Sequence, residues 1–338
     1  MPERTGLESK QIPTIEQAVQ QPGRAMKREV VVVIDAQESV DSIIPLDDER
    51  LFLLPNSYPL DGRNCSHPPE ARGWVTQNCY LFVEGNTAVL IDTGLSIHQE
   101  SMIKRLEQLI KPGMSLELSL LRSGEFYGLC NVRPIVEHFG IKRVHASKGS
   151  IVEQTDFRPG YPERRVGDNP FAGVEVVRGR FEGFMDLGNG RVLEQMRPPL
   201  RLLTNNWLYD PGTRTLLTTD HFNYTWQPSP EGPWVADPDA EVPSEEHIRN
   251  FLVSTRYWWM PGAQTAQMVA DLDEIFDKYD VHRIGPGHGL VLEGADAVKQ
   301  HVARLRTILE KFPDEPATGV DAGYTPRSKR APMAAGAL

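Results

Sequence analysis

Three apolar runs of this sequence end in side chains that could do chemistry. Asp92 follows the run AVLI, Asp220 follows TLLTT, and His288 lies in the glycine-rich segment IGPGHG. Residues at strand ends project into loops while a rigid sheet holds them in place. Each residue alone has an ordinary structural explanation, because an aspartate at a strand end commonly forms a turn. Their occurrence together at three strand exits predicts one shared site.

The length and charge of the chain limit what such a site could serve. The chain has 338 residues, of which 40% are hydrophobic, so it can bury a proper core. Its formal net charge is −10, and no basic stripe stands out. This disfavours nucleic acids and anionic membranes as partners. The longest apolar runs are too short to span a bilayer.

The setting of the protein is predicted from its first residues and its cysteines. The stretch MPERTGLESKQ lacks the apolar segment of a signal peptide. Three cysteines cannot all pair, and they show no CxxC spacing. We therefore expect a reduced, cytoplasmic protein.

The elements that position the strand exits are predicted from periodicity and turn residues. Asn78–Glu84 and Thr87–Ile91 form a hairpin around Gly85-Asn86. Apolar residues recur at helical spacing in five later segments: His98–Ile110, Val132–Phe139, Ser244–Tyr257, Thr265–Tyr279 and Ala295–Phe312. Two strand-rich parts, each interrupted by helices, predict an α/β fold, an αββα sandwich of two mixed sheets with outer helices. We expect a polar arm at 1–27, the domain at 28–312 and a loose tail at 313–338.

These segments resemble the metallo-β-lactamase fold. VLIDTG, LLTTDHF and IGPGHG occur in the order of that fold, within a stretch from Trp74 to His301. The chain is most similar to the branch of flavodiiron and oxygen-binding di-iron proteins, whose metal loop reads His-x-Glu-x-Asp-His. Glu125 stands where this branch has its glutamate. Asp220 matches the bridging aspartate and His288 matches the last histidine.

The loop also departs from that branch. Ser123, Tyr127 and Gly128 stand where the branch has His, Asp and His. A further histidine that the branch supplies after Ser147-Lys148-Gly149 is missing. His221 and Asp156 are candidate replacements, whereas His145 is expected to be a strand residue near the site. The flavin domain of flavodiiron proteins does not follow the last helix, so we do not expect an FMN-fed reductase in this chain.

The donors that remain are Glu125, Asp220 and His288. Two carboxylates and one imidazole are the donor set of a mononuclear non-haem iron site, and they also suit zinc or manganese. Such donors must be deprotonated and converge at roughly 2.0–2.3 Å from the ion. One or two iron ions are the cofactor that the resemblance implies. Zinc, manganese and no metal are the alternatives.

Three functions follow from this donor set. The first is a flavodiiron-like metalloprotein with a reduced metal site, which performs oxygen-linked redox chemistry on O2 or a small molecule with a separate electron donor. The second is a metal-dependent hydrolase of a small ester, lactone or thioester, with Asp220 or Glu125 as the base. The third is a non-catalytic binding protein that kept the fold and lost the metal site.

Tyr127 and the late aromatic residues each have two interpretations. The Tyr127 phenol could donate to an oxyanion in the site, or its ring could fill the volume that a metal leaves. Aromatic residues between Trp207 and Trp259 could wall an apolar cleft or form a subunit interface. Proteins of the flavodiiron branch commonly pair, so the resemblance implies a homodimer.

Overall fold

The computed structural model describes residues 42–147, 173–179, 182–200 and 205–317. The predicted arm, the candidate ligand Asp156 and residues 318–338 of the predicted tail lie outside these ranges. So does Arg28–Asp35, whose β-branched run VVVVI predicts a strand. The proposed boundaries of the arm, domain and tail stay predictions.

Seven strands form the first sheet in their chain order. They are β1 (Ile44–Asp47), β2 (Leu51–Pro59), β3 (Trp74–Glu84), β4 (Thr87–Ile91), β5 (Ser115–Leu120), β6 (Arg143–Ser147) and β7 (Glu175–Gly179). Neighbours from β1 to β4 are antiparallel, and those from β4 to β7 are parallel. The β3–β4 hairpin turns where the sequence predicts, with Glu84 opposite Thr87.

The segment after Pro55 differs from its prediction. Its proline and asparagine content predicts a loop from Pro55 to Gly73, but Pro55–Pro59 continues β2 and pairs with the start of β3. Four of the five residues from Asn56 to Leu60 have buried or half-buried side chains. Burial and pairing therefore outweigh the turn propensity of these residues. The loop that remains, residues 60–73, covers the candidate site.

Six strands form the second sheet in the order β13-β12-β11-β10-β9-β8. They are β8 (Gly183–Gly188), β9 (Arg191–Met196), β10 (Trp207–Asp210), β11 (Thr215–Thr219), β12 (Arg283–Pro286) and β13 (Leu292–Glu293). Only the β11–β12 pair is parallel among the described pairs.

Helices cover the outer faces of both sheets. They are α1 (Gln99–Leu109), α2 (Phe126–Leu129), α3 (Val132–Phe139), α4 (Glu245–Val253), α5 (Ala266–Lys278) and α6 (Ala295–Lys311). Side chains of both sheets, such as Phe82 and Leu217, share one core, and each sheet has a second core against its own helices. These four layers confirm the predicted αββα sandwich of mixed sheets. Among the described helices, none is long and apolar enough to cross a membrane.

The direction of four strands gathers the predicted residues. β4 and β5 run parallel in the first sheet, and β11 and β12 run parallel in the second. Parallel strands place their carboxyl ends at the same edge. Asp92 therefore lies beside the loop 121–125 that follows β5, and Asp220 lies beside the segment that carries His288.

Candidate functional site

A buried ion pair joins the end of β4 to the loop after β5. Arg122 Nε donates to Asp92 Oδ2 at 2.8 Å, and the Arg122 backbone N–H lies 3.3 Å from Asp92 Oδ1. The Arg122 side chain is completely buried and that of Asp92 is 3% exposed. Burial opposes the guanidinium charge, but Asp92, Asp220 and Glu125 outweigh it and raise the pKa of Arg122 above its usual value.

The same guanidinium reaches the last of the predicted ligands. Arg122 Nη1 donates to His288 Nε2 at 3.1 Å. That nitrogen is therefore the acceptor of a neutral imidazole. Burial, then Arg122 and His67, hold the pKa of His288 well below its usual range. The opposite nitrogen, Nδ1, is buried and has no hydrogen-bond partner among the described residues.

Two glycines make room for Arg122. A Cβ at Gly287 would lie 2.7 Å from Arg122 Nη1, and a Cβ at Gly128 would lie 2.5 Å from the Arg122 carbonyl oxygen. Neither distance is compatible with a side chain. Gly128 stands where the flavodiiron branch has a histidine, so the backbone occupies the place from which that side chain would extend. The close approach of Arg122 to the backbone therefore depends on glycine at both positions.

A second arginine joins the two predicted carboxylate ligands. Arg256 Nη1 donates to Asp220 Oδ2 at 2.7 Å and lies 3.1 Å from Glu125 Oε1. Arg256 Nη2 donates to Glu125 Oε2 at 3.1 Å and to Ser66 Oγ at 2.9 Å. The side chains of Glu125 and Asp220 are 7% and 4% exposed, and that of Arg256 is 18% exposed. The predicted ligands thus lie together, with a guanidinium between the carboxylates.

The charges of Arg256, Glu125 and Asp220 shift the pKa values of Arg256 and Glu125. Burial lowers the pKa of Arg256, but Asp220 and Glu125 outweigh it and raise the pKa above its usual value. Burial and then Asp220 raise the pKa of Glu125, although Arg256 acts in the opposite direction. Asp220 Oδ1 is buried and has no hydrogen-bond partner among the described residues.

Tyr127 packs its ring against the two basic groups. The ring centroid lies 4.6 Å from that of His288 in an edge arrangement, and Arg122 Cζ lies 5.3 Å from the same centroid. The phenol donates to Asn64 Oδ1 at 3.2 Å and lies 3.4 Å from Ser66 Oγ. Burial raises the pKa of this phenol. The ring therefore occupies the space between the arginine, the histidine and the covering loop.

The covering loop contributes a second imidazole. His67 is 2% exposed, and its ring lies 6.0 Å from that of His288. Burial, followed by the charge of Arg256, lowers the pKa of His67 to about 3. Its Nε2 has no hydrogen-bond partner in the described parts of the chain. His67 and His288 are therefore neutral at physiological pH.

The other candidate ligands point elsewhere. His221 lies in the core of the second sheet, where Trp207 Nε1 donates to its Nδ1 at 3.1 Å and Tyr257 Oη lies 3.3 Å from its Nε2. Burial lowers the pKa of His221 to about 4. His145, on β6, pairs with Glu117 at 2.8 Å. Neither histidine joins Glu125, Asp220 and His288.

The donor set does not fit a metal ion in this arrangement. In residues 42–147, 173–179, 182–200 and 205–317, no group of three or more His, Cys, Asp or Glu side chains is arranged to hold a metal ion. Glu125 and Asp220 direct three of their four oxygens to Arg256. His288 directs one nitrogen to Arg122. A cation at these donors would have to displace a guanidinium.

Sequence reasoning missed the two arginines and the covering loop. Arg122 directly precedes Ser123 and Glu125 in the loop after β5, and Arg256 follows α4 in the segment STRYWW. A strand end followed by arginine and glycine is too common to indicate a site. Ser66 and His67 lie in a proline-rich stretch whose composition predicts only a loop.

Most of the late aromatic residues form core and no cleft. Trp207, Tyr209, Phe222, Tyr224 and Tyr257 all belong to the buried core of the second sheet. Trp258 and Trp259 remain 58% and 37% exposed, and Phe126 is 58% exposed. Phe126 follows Glu125 in sequence, and its ring lies 5.8 Å from that of Tyr127, whereas Trp258 and Trp259 follow Arg256 closely in sequence. We call Phe126, Trp258 and Trp259 the aromatic rim.

Several solved structures that are similar to this chain in fold are flavodiiron proteins. Rubredoxin oxygen:oxidoreductase from Desulfovibrio gigas has a TM-score of 0.58 and 15% identity, over 80% of this chain and 62% of that chain. The chain has the fold of flavodiiron cores. A metal-soaked flavodiiron core from Synechocystis gives 0.59 and 15%, over 80% of this chain and 61% of that one. This chain therefore spans less than two thirds of the length of these two relatives.

A shorter relative matches almost end to end. A fragment of a diflavin flavoprotein from Nostoc has a TM-score of 0.57 and 18% identity, over 80% of this chain and 96% of the fragment. No protein-family model matches the chain, and a search of curated proteins finds no significant match. The predicted resemblance to the flavodiiron branch is confirmed for the fold, and the metallo-β-lactamase-like architecture with it.

Proposed function

We propose that this protein is a binding protein that uses the flavodiiron-type fold without a metal at Glu125, Asp220 and His288. The observation that carries the proposal is the Arg256 guanidinium, which donates to both carboxylates at 2.7–3.1 Å. Arginine stays protonated in proteins, so this cation is permanent. The two carboxylates therefore already have a permanent positive charge beside them, without a metal ion.

The binding surface in this proposal is the aromatic rim. Large exposed aromatic side chains are depleted on ordinary protein surfaces and enriched at binding sites. Phe126 is adjacent to Glu125 in sequence, and Trp258 is two residues from Arg256, so the rim follows both members of the ion pair in sequence. A ligand with an apolar or aromatic group fits this chemistry.

A second candidate is favoured by the fold itself. Flavodiiron cores have the same architecture, and this likeness supports the iron protein that the sequence predicts, with O2 as substrate and a separate electron donor. That function requires Arg256 to leave Glu125 and Asp220 so that iron can reach them. The homodimer, the cytoplasmic location, the zinc-dependent hydrolase and the catalytic roles of Tyr127 and Asp220 stay predictions.

Metal titration distinguishes the two candidates. Tag-free wild-type protein is loaded anaerobically with Fe(II), passed over a desalting column and analysed for iron. If the protein is a binding protein without a metal, we expect well below one equivalent of iron per protein. One or two equivalents, with a visible spectrum that responds to O2, would replace this proposal with the iron candidate.

The rim is tested with an apolar fluorescent probe, anilinonaphthalene sulfonate, on native protein. The proposal expects saturable binding that falls several-fold in Trp258→Ala and in Phe126→Ala. Phe184→Ala is the matched control, because Phe184 is 74% exposed on β8, in the other sheet. Equal loss of probe binding in the control and the rim variants would refute a specific surface at the rim.

A further inference from the structure

Arg256 connects four acceptor oxygens from three separate parts of the chain. Its two terminal nitrogens donate to both oxygens of Glu125, to Oδ2 of Asp220 and to Ser66 Oγ. These acceptors come from the loop after β5, the end of β11 and the covering loop 60–73. A planar guanidinium with several donors can hold acceptors in this way, whereas a lysine ammonium cannot reproduce the fork.

Loss of the Arg256 charge would leave two buried carboxylates without a cation in contact. Glu125 and Asp220 are both buried, and burial together with the like charge of Asp220 raises the pKa of Glu125. Two buried carboxylates without a cation are strongly unfavourable. Arg122 contributes to the local potential, but its Nε and Nη1 donate to Asp92 and His288. Within the described parts of the chain, Arg256 is the cation that contacts both carboxylates directly.

Two buried imidazoles, His67 and His288, also belong to the site, with ring centroids 6.0 Å apart. His67 Nε2 is buried and has no hydrogen-bond partner among the described residues, whereas His288 accepts from Arg122 through Nε2 and therefore carries its proton on Nδ1. Burial, with a smaller contribution from the charge of Arg256, lowers the pKa of both histidines. Carboxylates and neutral imidazoles are the donors that zinc accepts.

We propose that Arg256 is the resident counter-ion of this site and takes the place of a divalent metal ion. In the wild-type protein the guanidinium neutralises Glu125 and Asp220 and fastens the covering loop through Ser66. When the guanidinium is removed, the two carboxylates that it joined, Glu125 and Asp220, form a latent site for a divalent cation such as Zn²⁺. The inference rests on the proposed metal-independent function and assigns the residue that makes the site metal-independent.

The test is metal rescue of an arginine variant. Arg256→Ala is prepared without a tag, and its melting temperature and Zn²⁺ affinity are measured beside those of the wild type. The variant should melt at a lower temperature without metal and recover with Zn²⁺, while the wild type should not respond. Its Zn²⁺ affinity should exceed that of the wild type by at least about tenfold, since ligands must be free of competing cations to bind.

Two further variants identify the donors. Arg256→Ala combined with Asp220→Asn should lose the Zn²⁺ response, which separates the latent site from adventitious binding at the exposed Cys65. Arg256→Lys keeps a positive charge and should bind Zn²⁺ more weakly than Arg256→Ala. Arg249→Ala is the matched control, because Arg249 lies on α4, shortly before Arg256 in the sequence, and pairs with Glu315. This variant should give no Zn²⁺ response.

The outcomes are distinguishable. Zn²⁺-dependent recovery in Arg256→Ala alone supports the inference, including recovery of a variant that folds only with Zn²⁺. Equal and weak Zn²⁺ binding in the wild type and the variant overturns the inference and leaves the proposed function standing. Tight metal binding by the wild type overturns the proposed function. A variant that aggregates with and without Zn²⁺ counts against the inference, because a latent site would restore folding.

Discussion

Arg256 and Asp220 are 36 residues apart in the sequence and form an ion pair of 2.7 Å in a nearly buried site. The pair lies between two sheets whose strands end at this edge, and Glu125 shares the same guanidinium nitrogen. A buried carboxylate pair needs a cation. Here the Arg256 guanidinium supplies that cation. The fold that carries the pair is shared with flavodiiron cores.

The strength of this pair can be measured with a double-mutant cycle. Arg256→Ala, Asp220→Asn and the double variant should give a coupling free energy of about 2 kcal/mol in urea unfolding, because neighbours in one ion-pair network are non-additive. The Arg249–Glu315 pair is the control, since its side chains are 37% and 21% exposed. Its coupling should be smaller, about 0.5 kcal/mol, as expected for exposed pairs. Equal couplings would contradict a special role for Arg256.

The Asp92–Arg122 pair should carry a large part of the stability. Asp92→Asn leaves a completely buried guanidinium without its carboxylate and should cost about 3–5 kcal/mol of unfolding free energy. Asp92→Asn combined with Arg122→Met should recover part of that loss, because the uncompensated charge is gone. Asp280→Asn breaks an exposed pair with Arg214 and should change the unfolding midpoint very little. A small effect of Asp92→Asn would show that Arg122 is not held as described.

Gly287 should be intolerant of any side chain. Gly287→Ala places a Cβ 2.7 Å from Arg122 Nη1 and 2.7 Å from the Thr219 carbonyl oxygen. The backbone must move to relieve these contacts, at a cost of about 1–3 kcal/mol. Gly183→Ala is the control, because a Cβ there meets no atom within 4 Å. Thermal melts of the two variants should therefore differ by several degrees, and equal melts would rule out the close approach of Arg122.

His301 should make the protein sensitive to mild acid. Burial, followed by Arg304, lowers the pKa of His301 to about 4, and its Nδ1 lies 2.8 Å from Tyr224 Oη. The unfolded chain takes up the proton near pH 6.5, whereas the folded protein resists it, so stability is complete above pH 6.5 and declines as the pH falls towards 4.

The decline should be at most about 1.4 kcal/mol per pH unit for this one group. It should be smaller in His301→Gln, measured by urea unfolding at pH 7 and pH 5. An identical slope in His301→Gln and the wild type would remove His301 as the cause.

The sequence was sufficient for the fold because its strands and helices have local signals. The hairpin from Asn78 to Ile91 has alternating apolar residues around a Gly-Asn turn, and α3 ends at Gly140 with a φ of 62°. Such patterns depend on neighbours in sequence. The extension of β2 through Pro55 has no such signal, since it depends on pairing with β3.

The site was predictable only in part. Glu125, Asp220 and His288 could be found because each follows a strand and matches a position of a known branch. Arg122 and Arg256 could not, because an arginine has no characteristic spacing and its partners lie far away in sequence. Their importance arises from burial beside carboxylates, a property of the packed chain. The missing histidines indicated that the site had changed, but not what replaced them.

The most direct measurement is an experimental structure of protein produced in iron-supplemented cells, with diffraction data collected above and below the iron absorption edge. We expect the Arg256 guanidinium to lie between Glu125 and Asp220, and Arg122 to contact Asp92 and His288. No anomalous peak should appear among these side chains. An anomalous iron peak among Glu125, Asp220 and His288, with Arg256 turned away, would contradict this expectation.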